Sequence, residues 1–204
     1  MNVRLFDYGA GNLHSLAKAL ERGGASVTIT AEWDAALSGD ALILPGVGSF
    51  GAAVRALAGS EDRVRDTLAA GLPCLGICLG MQLLFPRSDE AEGAGIGLIP
   101  GHVRRLEVST VPQMGWNDVT AEGPDALMGD APVISAYYAN SFVCDPEDAT
   151  LVTAWSEVEG FSFPAAVRLG NTWGVQFHPE KSSSPGLALI SRFLDRAGAS
   201  RGSS

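Results

Sequence analysis

A chain of 204 residues has room for one sizeable core and is short for two. Its 46% hydrophobic and 18% charged residues, with 25 glycines and 11 prolines spread between apolar runs, fit a loop-rich α/β domain over residues 1–197 with a frayed tail over 198–204. A formal charge of −9 excludes a general binder of nucleic acid or of anionic membranes, both of which demand basic faces. Cys74, Cys78 and Cys144 are odd in number and lack framework spacing. With no basic-then-apolar leader, no span of membrane length and no metal cluster, they predict a reduced, cytoplasmic, unexported protein without a metal.

In chain order, residues 3–6 read as a strand entering the turn-rich loop 7–12, and Leu13, Leu16, Ala17 and Leu20 then recur at helical spacing until Gly23 and Gly24. The β-branched stretch 26–30 predicts the second strand and residues 40–44 the third, with a short helix around Trp33 to Leu37 between them. Helical stretches through Val54 and Leu57 and through Val64 and Leu68 follow a glycine-rich loop, 45–51. Strands alternating with helices predict a doubly wound, largely parallel central sheet with helices on both faces, of flavodoxin-like type. Residues 72–77 suit a buried parallel strand, and Met81, Leu84 and Phe85 share one helical face. Beyond Phe85 the texture changes. Residues 93–97 read as flexible, and 101–106, 113–119, 133–137, 151–154, 165–169 and 173–177 as strands. Gly170 and Asn171 read as a hairpin turn, so this half carries an antiparallel extension. Helical spacing returns over residues 185–196, with Pro185 in the first turn.

Cys78 sits where the strand stops and the helix begins, bracketed by Gly76 and Gly80. Small neighbours permit the sharp strand-to-helix turn that exposes a nucleophile, and the positive end of a helix favours thiolate over thiol. Most cysteines of such proteins are small buried hydrophobes, which Cys74 and Cys144 suit. A cysteine nucleophile also needs a base, an orienter and oxyanion donors. Of the three histidines, His14 lies early in a helix and His102 in a basic strand. His178 closes an apolar strand, where open α/β sheets gather catalytic groups, and Glu180 follows two residues on, able to accept the ring N–H. The glycines of Gly46-Val-Gly48-Ser-Phe-Gly51 satisfy the dinucleotide spacing, but they follow the third strand and the next strand ends in no acidic residue, so no cofactor is expected. The same glycines can turn the Val47 N–H, with the Leu79 N–H, toward an oxyanion.

With these residues in hand the chain resembles the class I, triad-type glutamine amidotransferases, whose two signatures match Gly76 to Gln82 and Phe177 to Glu180. Residues 7–12, 44–51, 97–101, 112–117 and 176–182 are similar to the glutaminase subunits of imidazole glycerol phosphate synthase, of histidine biosynthesis, and the likeness runs from Asn2 to about Leu194. It implies glutamine hydrolysis to glutamate through a Cys78 thioester, with His178 and Glu180 completing the triad. It also implies a partner, a (β/α)8-barrel cyclase that receives the ammonia. By the same resemblance Gly46, Gln82, Glu90, Asn140 and Ser141 would hold the substrate, and Asn12, Trp116, Asn117 and Lys181 would face the partner. One stretch departs from the family: residues 137–142, Tyr-Tyr-Ala-Asn-Ser-Phe, replace the usual His and last Tyr of a His-Ser-Tyr ending. Other glutaminases of this fold, a related elbow-bearing cysteine hydrolase and a catalytically silent binding module are the competing readings. Residues 7–12 and 112–117 argue against the first, Gln82 and His-Pro-Glu against the second, and the intact triad against the third.

Overall fold

The computed structural model describes residues 1–9, 11–123, 127–129 and 133–201. The first half alternates strands and helices: β1 (Asn2–Phe6), α1 (His14–Arg22), β2 (Ser26–Thr30), α2 (Trp33–Leu37), β3 (Ala41–Leu44), α3 (Phe50–Leu57), α4 (Glu61–Ala69), β4 (Cys74–Ile77) and α5 (Leu79–Gln82). The second half is nearly all strand: β5 (Gly101–Arg105), β6 (Gln113–Ala121), β7 (Val133–Asn140), β8 (Phe142–Pro146), β9 (Val152–Val158), β10 (Phe161–Leu169) and β11 (Thr172–Val175), before α6 (Ser183–Arg201).

Nine strands form one sheet in the order β2-β1-β3-β4-β11-β10-β9-β6-β7. The pairs from β2 across to β11 are parallel, and those from β11 to β7 are antiparallel. The expected doubly wound sheet with an antiparallel extension is therefore present, and the switch falls at β11. Strands β5 and β8 pair separately as a small antiparallel ribbon. Parallel strands covered on both faces lose the alternation of half-buried ones, and all four residues of β3 are fully buried, Ile43 toward one face and Leu42 and Leu44 toward the other. Helices α1 and α6 cover the first face with Leu16, Leu20, Ile190 and Phe193. Helices α2, α3 and α4 cover the second with Trp33, Phe50, Leu57 and Val64, beside Val103 and Cys144 of the ribbon. No helix among the described residues is long and apolar enough to cross a membrane.

The hairpin read at Gly170 and Asn171 joins Leu169 to its partner Thr172. Several expectations fail for identifiable reasons. The helix after Cys78 ends at Gln82, and Leu84 and Phe85 close in tighter turns onto Met81 and Gln82, because Pro86 disfavours helix in the residue before it. Residues 93–97 are pinned rather than flexible: Gly95 N–H bonds to the Pro86 carbonyl and Ile96 N–H to that of Leu83. Strand β8 has no counterpart in the reading, since it ends in Asp145 and Pro146, which strands avoid. Strand β10 starts at Phe161, four residues early, and carries Pro164 at an irregularity in its pairing with β9, where the missing N–H is tolerated. Helix α6 continues through residues 198–201 of the expected tail, carried by Ala197, fully buried, and Ala199, with no proline to stop it. Residues 202–204 lie outside the described residues, as does Ala10 of the 7–12 loop.

Candidate active site

The site lies at the C-terminal ends of β4 and β11, adjacent strands at the parallel-to-antiparallel switch. Cys78 follows β4 as the cap of α5 with φ 48° and ψ −104°, a left-handed backbone that a non-glycine residue adopts only under constraint. The flanking glycines allow the turn. A Cβ on Gly76 would stand 2.6 Å from the Gly80 carbonyl oxygen, and one on Gly80 would stand 2.0 Å from that of Leu44. Short α5 thus lies directly on β3 and β4. A Cβ on Gly46 would meet His178 Cε1 at 2.8 Å and Cys78 Cβ at 2.9 Å, so the loop after β3 presses on both residues.

His178 is buried, and its Nδ1 lies 2.9 Å from Glu180 Oε1. Both groups sit in a turn clamped to β7: Ser182 Oγ donates to the His178 carbonyl at 2.6 Å and accepts the Tyr137 N–H at 2.9 Å, while His178 N–H bonds to the Tyr137 carbonyl. Burial works against a charged ring. Hydrogen bonding to Cys78 and then to Glu180, with the charge of both, outweighs it and raises the His178 pKa from 6.5 to about 9. The imidazole is therefore protonated at neutral pH and can give a proton to a leaving group. Burial pushes the thiols of Cys74 and Cys144 up, leaving both as inert core residues.

A cavity of about 180 Å³ opens beside the sulfur, lined by Gly46, Gly48, Cys78, Leu79, Gln82 and Glu90 together with residues 139–142. That size suits an amino acid and falls below the ~300 Å³ at which drug-sized and cofactor sites begin. Gln82 Nε2 donates to the Phe142 carbonyl at 3.2 Å, and Glu90 Oε1 accepts from Phe50 N–H at the start of α3. Asn140 is buried with Oδ1 unpartnered. The structure thus brings Cys78, His178, Glu180, Gly46, Leu79, Gln82, Glu90, Asn140 and Ser141 together. Val47 does not line the cavity with its side chain, which packs against Gly11. Of the other histidines, His14 is exposed on α1 and His102 pairs with Asp89 at 2.8 Å.

The residues expected to face a partner divide. Trp116 is 55% exposed, its ring edge-on to Tyr137, over which Lys181 Nζ stands 5.8 Å from the centroid. Met114, two residues along β6, is exposed as well. Asn12 is exposed and its Oδ1 accepts from His14 N–H at the start of α1. The side chain of Asn117 is occupied within the sheet, donating to the Glu157 carbonyl of β9. Sequence reasoning missed Gln176, Ser182, Met114 and Tyr137. Only Gln176 carried a signal, a polar residue inside an apolar strand end.

A family model described as glutamine amidotransferase class-I matches residues 4–197. The chain is 42% identical over 206 residues to the imidazole glycerol phosphate synthase subunit HisH of Mycolicibacterium paratuberculosis, covering 96% of this chain and 98% of that one. It is 45% identical over 193 residues to the subunit of the same name from Thermus thermophilus, covering 93% and 95%. A crystal structure of a glutamine amidotransferase matches with a TM-score of 0.76 at 24% identity, over 96% of this chain and 98% of the other. The structure of PurLQS from Thermotoga maritima matches with a TM-score of 0.76 at 22% identity, over 96% of this chain and 98% of the matched one. At those identities the two structures speak for the fold. The family match and the extended identity show that the chain belongs to the class-I glutamine amidotransferases, within the family of the imidazole glycerol phosphate synthase subunit HisH.

Proposed function

We propose that this chain is the glutaminase subunit of an imidazole glycerol phosphate synthase, hydrolysing L-glutamine to L-glutamate and passing ammonia to a (β/α)8-barrel cyclase in histidine biosynthesis. The observation that carries the reading is the elbow cysteine facing a buried His178–Glu180 pair at an amino-acid-sized cavity. The Cys78 sulfur attacks the side-chain amide carbon of glutamine. The N–H groups of Val47 and Leu79 receive the oxyanion, and the protonated His178 gives its proton to the amide nitrogen as the C–N bond breaks. Ammonia leaves a thioester. His178, now neutral and held by Glu180, takes a proton from water, which attacks the thioester and releases glutamate with the thiol restored. Gln82 and Glu90 hold the amino-acid end of the substrate, with Gly46, Asn140 and Ser141 completing the wall. Glu90 faces the ammonium, since a carboxylate repels its like. Neither step calls on a metal or an organic cofactor.

The cluster of exposed Met114, Trp116 and Lys181 around half-buried Tyr137 supports a docking face for the cyclase, with Asn12 and Asn117 at its margin. Three free, buried cysteines support a cytoplasmic location. The test is copurification with the cyclase subunit followed by assay of glutamate release and of glutamine-dependent cyclase turnover. Both activities are expected in the complex, with little hydrolysis by the free chain. A complex that consumes no glutamine would overturn the proposal.

A further inference from the structure

Gln176 stands outside the triad. Its side chain is fully buried between β11 and His178, with Nε2 3.4 Å from Cys78 Sγ and Oε1 3.4 Å from Gln82 Nε2. One acceptor dictates the polarity of this chain of amides. The Phe142 carbonyl can only accept, and it takes N–H bonds at 3.2 Å from both Gln82 Nε2 and Asn140 Nδ2. Gln82 must therefore turn its NH2 group inward, one hydrogen toward Phe142 and the other toward Gln176 Oε1. Gln176 is left presenting its own NH2 group to the sulfur. The Gln82 oxygen is spared by this arrangement, free to accept from a ligand in the cavity that Gln82 lines.

A buried amide persists in a core when its groups are bonded, and here both ends are engaged with residues of the site. The geometry points to Gln176 as a fourth catalytic residue, which donates a hydrogen bond to the Cys78 sulfur in its anionic form and ties it through Gln82 to the residues that read the substrate. Two donors then flank the sulfur, His178 to protonate the leaving nitrogen and Gln176, which cannot titrate, to hold the charge before attack and again as the sulfur is expelled from the thioester. A ligand ammonium on Gln82 Oε1 polarises the amide chain and strengthens the donor at its far end, so substrate occupancy and nucleophile reactivity are linked.

The inference rests on the glutaminase reading, and its test separates the two. Iodoacetamide alkylation of Cys78 and steady-state glutaminase kinetics of the cyclase complex are compared for the parent, Gln176→Met and Gln176→Glu. Methionine keeps the volume without the donor, and a hydrogen bond to a charged group corresponds to roughly 10- to 100-fold. Alkylation by Gln176→Met and kcat are expected to fall by that factor, with a severalfold rise in KM as Gln82 loses an anchor. Gln176→Glu is expected to fall further, because a carboxylate then faces the sulfur. Alkylation and kcat within twofold of the parent in Gln176→Met would overturn the assignment, since a merely structural amide leaves thiol chemistry untouched. If both variants fail to fold by near-ultraviolet circular dichroism, Gln82→Met, which removes the donor that orients Gln176, decides instead: slower alkylation supports the chain of amides and an unchanged rate defeats it. A parent complex that hydrolyses no glutamine defeats the glutaminase reading, while alkylation still settles the role of Gln176.

Discussion

Cys78 combines a constrained backbone, a helix start and a protonated imidazole, whereas Cys74 and Cys144 are fully buried with their thiols pushed up. Cys78→Ala is therefore expected to lose glutaminase activity by at least ~10³-fold with the fold retained. A glutamine-analogue label should enter the parent at one thiol and this variant at none; labelling of Cys74 or Cys144 would refute the assignment. His178 makes a second prediction. Its folded pKa, about 9, lies above the ordinary 6.5, so the stability it contributes is complete below about pH 6.5 and is lost as pH rises through 9. Denaturant titrations should show the parent losing stability relative to His178→Gln between these limits, and hydrolysis should decline above about pH 9 as the proton donor is spent. The meeting of Cys78, His178 and Glu180 was legible in the sequence because a glycine bracket and a His-Pro-Glu turn are local patterns. Ser182 was not, since its bonds to Tyr137 and His178 exist only once β7 lies beside the turn.

Helix α5 sits so close to β3 that Gly80→Ala must move backbone. Overpacking of this kind costs ~1–3 kcal/mol or more, read as a lower urea midpoint. Gly198→Ala is the opposite case. Nothing lies within 4 Å of the added methyl in α6, and the replacement of glycine inside a helix should stabilise the chain by up to ~1 kcal/mol. Equal midpoints for the two variants would show that the close approach carries no strain. The elements of the first half were legible because fully apolar strands alternate with amphipathic helices there. Less of the second half was, because its boundaries depend on long-range pairing: β8 exists through β5, and β10 holds Pro164 at an irregularity in its pairing with β9.

The two lysines of this acidic chain lie in different settings. Lys181 stands over Tyr137 beside exposed Trp116, while Lys18 lies on α1. Aromatic anchors at docking faces typically cost ~2 kcal/mol or more when truncated, so Trp116→Ala is expected to weaken cyclase binding by at least ~30-fold. Lys181→Ala should weaken it less and Lys18→Ala not at all, measured by titration with the cyclase; equal affinities for all three and the parent would move the docking face elsewhere. The placement of Cys78 and His178 just beyond the ends of neighbouring strands has a further consequence in time. Gln176 and Cys78 touch across 98 residues of chain. At synthesis rates of ~5–20 residues per second, the thiol emerges from the ribosome roughly 5–20 s before the strand that arms it. Until then the cysteine lacks its proton donor, so an unfinished chain is chemically mute, and only a completed protein, able to dock a consumer of ammonia, acquires the power to make any.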